Sequence, residues 1–101
     1  TMSNLFWLRD QTVFTPCLAQ AGIEGIVRQW LISYLQAKSI LVETGQFTLD
    51  HIVNAHEVWV TNSIIGIWPV KAINDQAYVL GPVVRQLQVA WQQARKQQLS
   101  C

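Results

Sequence analysis

Charge is scarce in this chain. Only 13% of its 101 residues are Asp, Glu, Lys or Arg, and they sum to a formal net charge of +1. The cations are scattered, so there is no electrostatic footprint for nucleic acid or for an anionic membrane, and neither partner is expected. Cysteine is also scarce: Cys17 and Cys101 follow no disulfide or zinc spacing, and His51 and His56 have no cysteine neighbours that would complete a metal set. No metal is expected, and the reducing cytoplasm is the expected compartment. No apolar run approaches the roughly eighteen residues needed to cross a bilayer. The start, TMSNLFW, lacks the charged region and cleavage site of a signal peptide. There is no internal repeat and no linker.

What is abundant is material for a core. Half of the residues are hydrophobic and five are Trp, a balance that excludes disorder and predicts close packing. The length suits one domain or a piece of one. Ser3 to Arg9 is strand-like within a few residues of the start, where free ends are usually polar and loose. The chain is expected to begin inside a fold.

Residues 3 to 9 and 12 to 15 are rich in aromatic and β-branched types and are separated by Asp10 and Gln11, which reads as a hairpin ended by Pro16. From Gly22 to about Lys38 the period changes. Ile23, Ile26, Val27, Trp30, Leu31, Tyr34 and Leu35 recur at steps of three and four and predict a helix with one apolar stripe. Ile40 to Thr44 reads as a strand. Thr48 is the expected N-cap of a short helix that turns Leu49, Ile52 and Val53 inward. Glu57 to Val60 is too continuously apolar to have a wet face and is expected to be central. Ile65 to Ile73 reads as a further strand, with Pro69 marking an edge or bulge, and Tyr78 to Leu80 as a weak one. Gly81 and Pro82 open a final helix with Val84, Leu87, Trp91 and Ala94 inward, closed by Arg95 and Lys96. The polar tail QQARKQQ is a solvated helix end. The elements mix in an α/β or α+β manner.

Two places invite a ligand. The long helix begins at AGIEG without a side chain suited to capping, so its first N–H groups need another acceptor. Water is the plain answer. An anion is the sharper one, with Gly22 allowing close approach and the Glu24 carboxylate pointing away. The second place is Thr61, Asn62 and Ser63, three polar residues inside VWVTNSIIGIWPV. A turn that bonds its own backbone is the plain reading. The other puts them at the C-terminal end of a central strand, with hydroxyl, amide and N–H groups converging on an anion. Together the two places predict a phosphate cup. His51 and His56 read as surface or capping residues, and Lys38, Lys71 and Lys96 as solvated charge.

The succession SNLFWLRDQTVFTP, AGIEGIVRQWLI and EVWVTNSIIGIWPV resembles the C-terminal part of the fold-type IV pyridoxal-phosphate enzymes, the class IV aminotransferases, from Ser3 to Val70 and more loosely beyond. AGIEGIVRQ and TNSIIGIWPV are most similar to the aminodeoxychorismate lyase branch, which releases pyruvate from 4-amino-4-deoxychorismate to give 4-aminobenzoate for folate synthesis. D-amino-acid and branched-chain transaminases share the fold and remain the alternative. Residues 1–101 would then be the C-terminal domain that holds the phosphate of pyridoxal 5′-phosphate, or most of it. The resemblance implies that the N–H groups of Ile23 and Glu24, beside Gly22, and the Asn62–Ser63 segment, through the Ser63 hydroxyl and N–H, bind that phosphate. Glu24 stands where transaminases carry Thr, so only its backbone contact carries over. Ser3, with Asn4, matches the segment near the pyridine ring. A small-molecule substrate and a homodimer of the full-length enzyme are implied as well. The family's Schiff-base lysine and its ring-binding glutamate precede the SNLFW block, and none of the three lysines here matches. The chain is therefore expected to lack a catalytic residue and the N-terminal domain. On that count it is inactive alone, or a non-catalytic truncated remnant.

Overall fold

A computed structural model describes residues 4–17, 26–62, 65–73 and 76–99. It holds a five-stranded mixed sheet in the order β3-β2-β1-β4-β5. β1 (Asn4–Arg9) and β2 (Thr12–Pro16) form the expected antiparallel hairpin. Its two-residue turn places Asp10 at φ 51° and Gln11 at φ 67°, the pair of positive angles that matches the twist of hairpin strands. β2 then pairs in parallel with β3 (Leu41–Gly45), and α1 (Ile26–Ala37) makes the crossover. β4 (Glu57–Asn62) lies antiparallel between β1 and β5 (Gly66–Pro69). It is flanked on both sides and buried along most of its length, as its continuous apolar run predicts.

Each face of the sheet has its own cover. Phe6, Val13, Trp59 and Ile67 meet Val27, Leu31 and Leu35 of α1 and Val84, Leu87 and Trp91 of α3 (Pro82–Leu99). On the other face Trp7 and Val58 pack with Ile52 of α2 (Leu49–Val53) and with Tyr78. Each such large side chain, fully buried, contributes about 1.5–3 kcal/mol.

Several expectations need correction. On α1 the buried line is Val27, Leu31 and Leu35, whereas Ile26 is exposed and Trp30 and Tyr34 are half-buried, their rings stacked at 5.0 Å. The predicted stripe is wider than the strip of helix that one sheet face covers. In α2 only Ile52 is buried, while Leu49 and Val53 are exposed and Thr48 makes no side-chain cap bond. A helix of five residues turns only one of the three toward the sheet. β5 stops at Pro69, beyond which β6 (Ala72–Ile73) pairs with β7 (Gln76–Ala77). Tyr78 is therefore no strand residue: its N–H donates to Lys71 O at 2.8 Å and its hydroxyl to Ile52 O at 3.2 Å. α3 continues past Arg95 and Lys96 to Leu99.

Glu57 resolves an oddity of the buried strand. Its carboxylate, 4% exposed, accepts the N–H of Val84 at 2.9 Å and of Val83 at 3.3 Å. It caps α3 from a distant strand and supplies the negative charge that a helix start favours. Gly81 makes room for this contact, because a Cβ there would run into the Glu57 carboxylate.

Candidate functional site

Strand register gathers the polar groups at one end of the sheet. Asn4, at the start of β1, faces Thr61, near the end of β4. Beside them β2 ends, where Thr15 Oγ1 donates to Leu5 O at 2.7 Å. α1 arrives at the same end: one turn in, Arg28 Nη2 donates to Pro16 O at 3.2 Å. Asn4, Thr15, Arg28 and Thr61 are all buried. By strand alternation Asn4 and Thr61 share the helix-covered face with the stacked pair Phe6 and Trp59, whose centroids lie 6.0 Å apart. That face is thus apolar in its middle and polar at this end, with a buried guanidinium beside the incoming helix. Positive charge and helix N–H groups both favour an anion.

Thr61 is the residue that most asks for a ligand. Its hydroxyl is wholly buried and has no hydrogen-bond partner among the described residues, and the same holds for Trp59 Nε1, two residues back on the same face. Leaving such a group unsatisfied costs about 1–3 kcal/mol. At Thr61 a bound phosphate oxygen would satisfy it, so the described residues fit the phosphate end of a cofactor.

Of the predicted site residues, Asn62 lies in the described part and at this end. Its Oδ1 accepts the N–H of Ile65 at 2.8 Å across the β4–β5 turn, which is the plain turn role foreseen for it. Gly22, Ile23, Glu24, Ser63 and Ser3 lie outside the described residues. Sequence reasoning passed over Thr15 and Arg28. It placed Thr61 in the anion-binding segment without giving it a phosphate contact, although the two-residue step from Trp59 already puts Thr61 on the buried face.

Lys38, Lys71 and the two histidines lie away from this end. Lys38 follows α1 at the opposite end, its Nζ 5.6 Å from the Tyr34 ring centroid. Lys71 follows β5 at that same end, next to Val70, whose N–H donates to Val58 O. Lys96 is exposed on α3. His51 accepts the Trp7 Nε1 proton at 2.8 Å within a cluster of Trp7, Phe14 and Phe47, and His56 is exposed beside the start of β4. Burial pushes the Tyr78 phenol up, on the face away from α1.

Comparison with known proteins gives the family and the fold. The amino-transferase class IV family matches residues 1–73. The chain is similar, at 40% identity over 92 residues, to the aminodeoxychorismate lyase of Vibrio harveyi, covering 87% of this chain and 34% of that protein. Among solved structures it is similar to the 4-amino-4-deoxychorismate lyase of Pseudomonas aeruginosa, with TM-score 0.82 and 30% identity over 87% of this chain and 33% of the other. It is also similar to the branched-chain amino acid aminotransferase of Escherichia coli, with TM-score 0.81 and 26% identity over 88% and 31%. The chain spans about a third of the length of these relatives.

Proposed function

The chain belongs to the class IV aminotransferase family, and on that premise we propose that it forms the phosphate-holding part of a pyridoxal-phosphate-dependent 4-amino-4-deoxychorismate lyase. The observation that carries the reading is the buried polar end of the sheet, where Thr61 presents an unpartnered hydroxyl. The likeness to the two lyases supports the choice within the family.

The backbone N–H groups of Ile23 and Glu24 and the hydroxyl and N–H of Ser63 would hold the cofactor phosphate. Gly22 lets it approach, Asn62 fixes the turn through Ile65, and Thr61 and Arg28 add a hydroxyl and a buried positive charge. Ser3 would contact the cofactor near its ring. When bound, pyridoxal phosphate supplies the electron sink for bond cleavage in the substrate. This chain's residues contribute anchorage and orientation, which convert binding energy into correct placement of the reacting atoms. Proton transfer belongs to a group that Lys38 and Lys71, at the far end of the sheet, do not supply. The complete enzyme works as a cytoplasmic homodimer on its small-molecule substrate.

The test is titration of the chain with pyridoxal phosphate, then borohydride reduction and mass mapping. Saturable binding that inorganic phosphate competes away, without a site-specific lysine adduct and without 4-aminobenzoate formation, is the expected result. A stoichiometric adduct on Lys38, Lys71 or Lys96, or turnover by the chain alone, overturns the proposal. The likeness to the aminotransferase supports a second reading, a transaminase of the same fold. Amino-group exchange to a keto acid by the complete enzyme, in place of pyruvate and 4-aminobenzoate release, selects it.

A further inference from the structure

The β4–β5 turn rests on a helix. Asn62 and Gly66 pair across it, and the Asn62 carboxamide accepts the Ile65 N–H inside it. Gly66 sits at φ +73°, and a Cβ there would lie 2.8 Å from both Cδ1 and Nε1 of Trp91. Glycine is thus required twice, for the left-handed backbone and for the approach of an indole ring. One turn earlier on α3, Gln88 Nε2 donates to Ile67 O at 2.9 Å. The first two residues of β5 are therefore both gripped by α3. The grip is fixed from two directions: Trp91 meets Trp30 of α1 edge-on at 5.2 Å, and Glu57 anchors the start of α3.

We propose that Trp91 and Gln88 are positioning residues for the anion-binding turn, holding Gly66 and Ile67 so that the segment ending β4 at Asn62, paired with Gly66, meets a ligand phosphate in one geometry. The inference rests on the reading of that segment as a phosphate contact. Phosphate contacts tolerate little misplacement, so the turn needs support from a rigid element. An indole plane under Gly66 and an amide bond to the next residue supply it.

The test uses Trp91→Leu and Gln88→Ala, with Leu87→Ala as a control that loosens the same helix away from the turn. Amide exchange and inorganic-phosphate titration are followed by NMR on the same samples. In both test variants the Ile65 amide is expected to exchange about tenfold faster relative to the core amides. Phosphate affinity is expected to fall about five- to tenfold. Leu87→Ala lowers the melting temperature and leaves both readouts within about twofold. Unchanged relative Ile65 exchange in the test variants overturns the brace, whatever phosphate does. Faster Ile65 exchange with no phosphate response even in the wild-type chain overturns the phosphate reading, and the proposal falls with it. Should Trp91→Leu fail to fold, Gln88→Ala carries the same measurement, since it removes one hydrogen bond and no core ring.

Discussion

Replacing Thr61 with valine keeps the shape of the side chain and removes a buried hydroxyl that has no protein partner. Thr61→Val is expected to raise stability by about 1 kcal/mol, because a desolvation cost disappears with little change in packing. The same change is expected to weaken phosphate binding, and urea unfolding with a phosphate titration reads both. A gain in stability at unchanged affinity takes Thr61 out of the site. Tyr78 makes a different single-residue test. Burial raises its phenol above the ordinary value of 10.0, and the neutral hydroxyl donates to Ile52 O. The folded chain favours the protonated form, so this contribution is complete below pH 10 and is lost as pH rises through the folded-state value. Melting temperature measured from pH 8 to 11 is expected to fall more steeply for the wild type than for Tyr78→Phe. At this scale the sequence is legible where period alone decides, as in the step from Trp59 to Thr61. It is illegible where a charge is buried: an arginine on an amphipathic helix normally faces water, and the bond to the end of β2 that holds Arg28 inside joins residues far apart in local pattern.

The end of α1 shows what local rules predict and what they miss at the scale of an element. Ile40 N–H donates to Leu35 O at 2.9 Å and Ser39 N–H to Gln36 O at 3.0 Å, the paired bonds of a helix stop whose pivot is left-handed. That pivot is Ser39, at φ 62°, where glycine carries no steric penalty. Ser39→Gly is expected to stabilise the chain by about 1 kcal/mol, read as a higher urea midpoint at unchanged slope. The β1–β2 hairpin was legible because its turn and both strands are adjacent in the chain, as was the strand-helix-strand succession β2-α1-β3, whereas the parallel pairing of β2 with β3 was not. The cap on α3 was not, because the acceptor for its first N–H groups sits 27 residues earlier than Val84 on a buried strand. The brace beneath Gly66 has the same character: GIW reads as an ordinary strand start, and the ring that demands glycine belongs to another element. The short helix at Leu49 was over-read, since three apolar residues at helical spacing do not reveal that only one can reach the sheet.

The two faces of the sheet are unequally covered at the scale of the whole molecule. α1 and α3 span one face, whereas on the other the cluster around Trp7 and Ile52 sits toward the end where β4 begins. At the end where β4 finishes, Leu5, Val60 and Trp68 form a row across three strands, with Leu5 facing Val60 and Val60 facing Trp68. Trp68 is 58% exposed and lies on an edge strand, where unpaired backbone groups add to the apolar attraction. Leu41, at the other edge, is also largely exposed. The chain is therefore expected to self-associate as its concentration rises, through the Trp68 edge rather than through the helix-covered face. Burying the exposed part of one tryptophan contributes about 1.5–3 kcal/mol, so Trp68→Lys is expected to move the onset of association to at least about tenfold higher concentration. Sedimentation velocity across a concentration series reads the shift, with Val89→Lys on the exposed side of α3 as the comparison. If both variants shift the onset equally, or neither does, the uncovered row is not the contact. If only Trp68→Lys does, the face that association covers is the one next to the proposed phosphate cup, and phosphate affinity in the wild type should then depend on chain concentration as well.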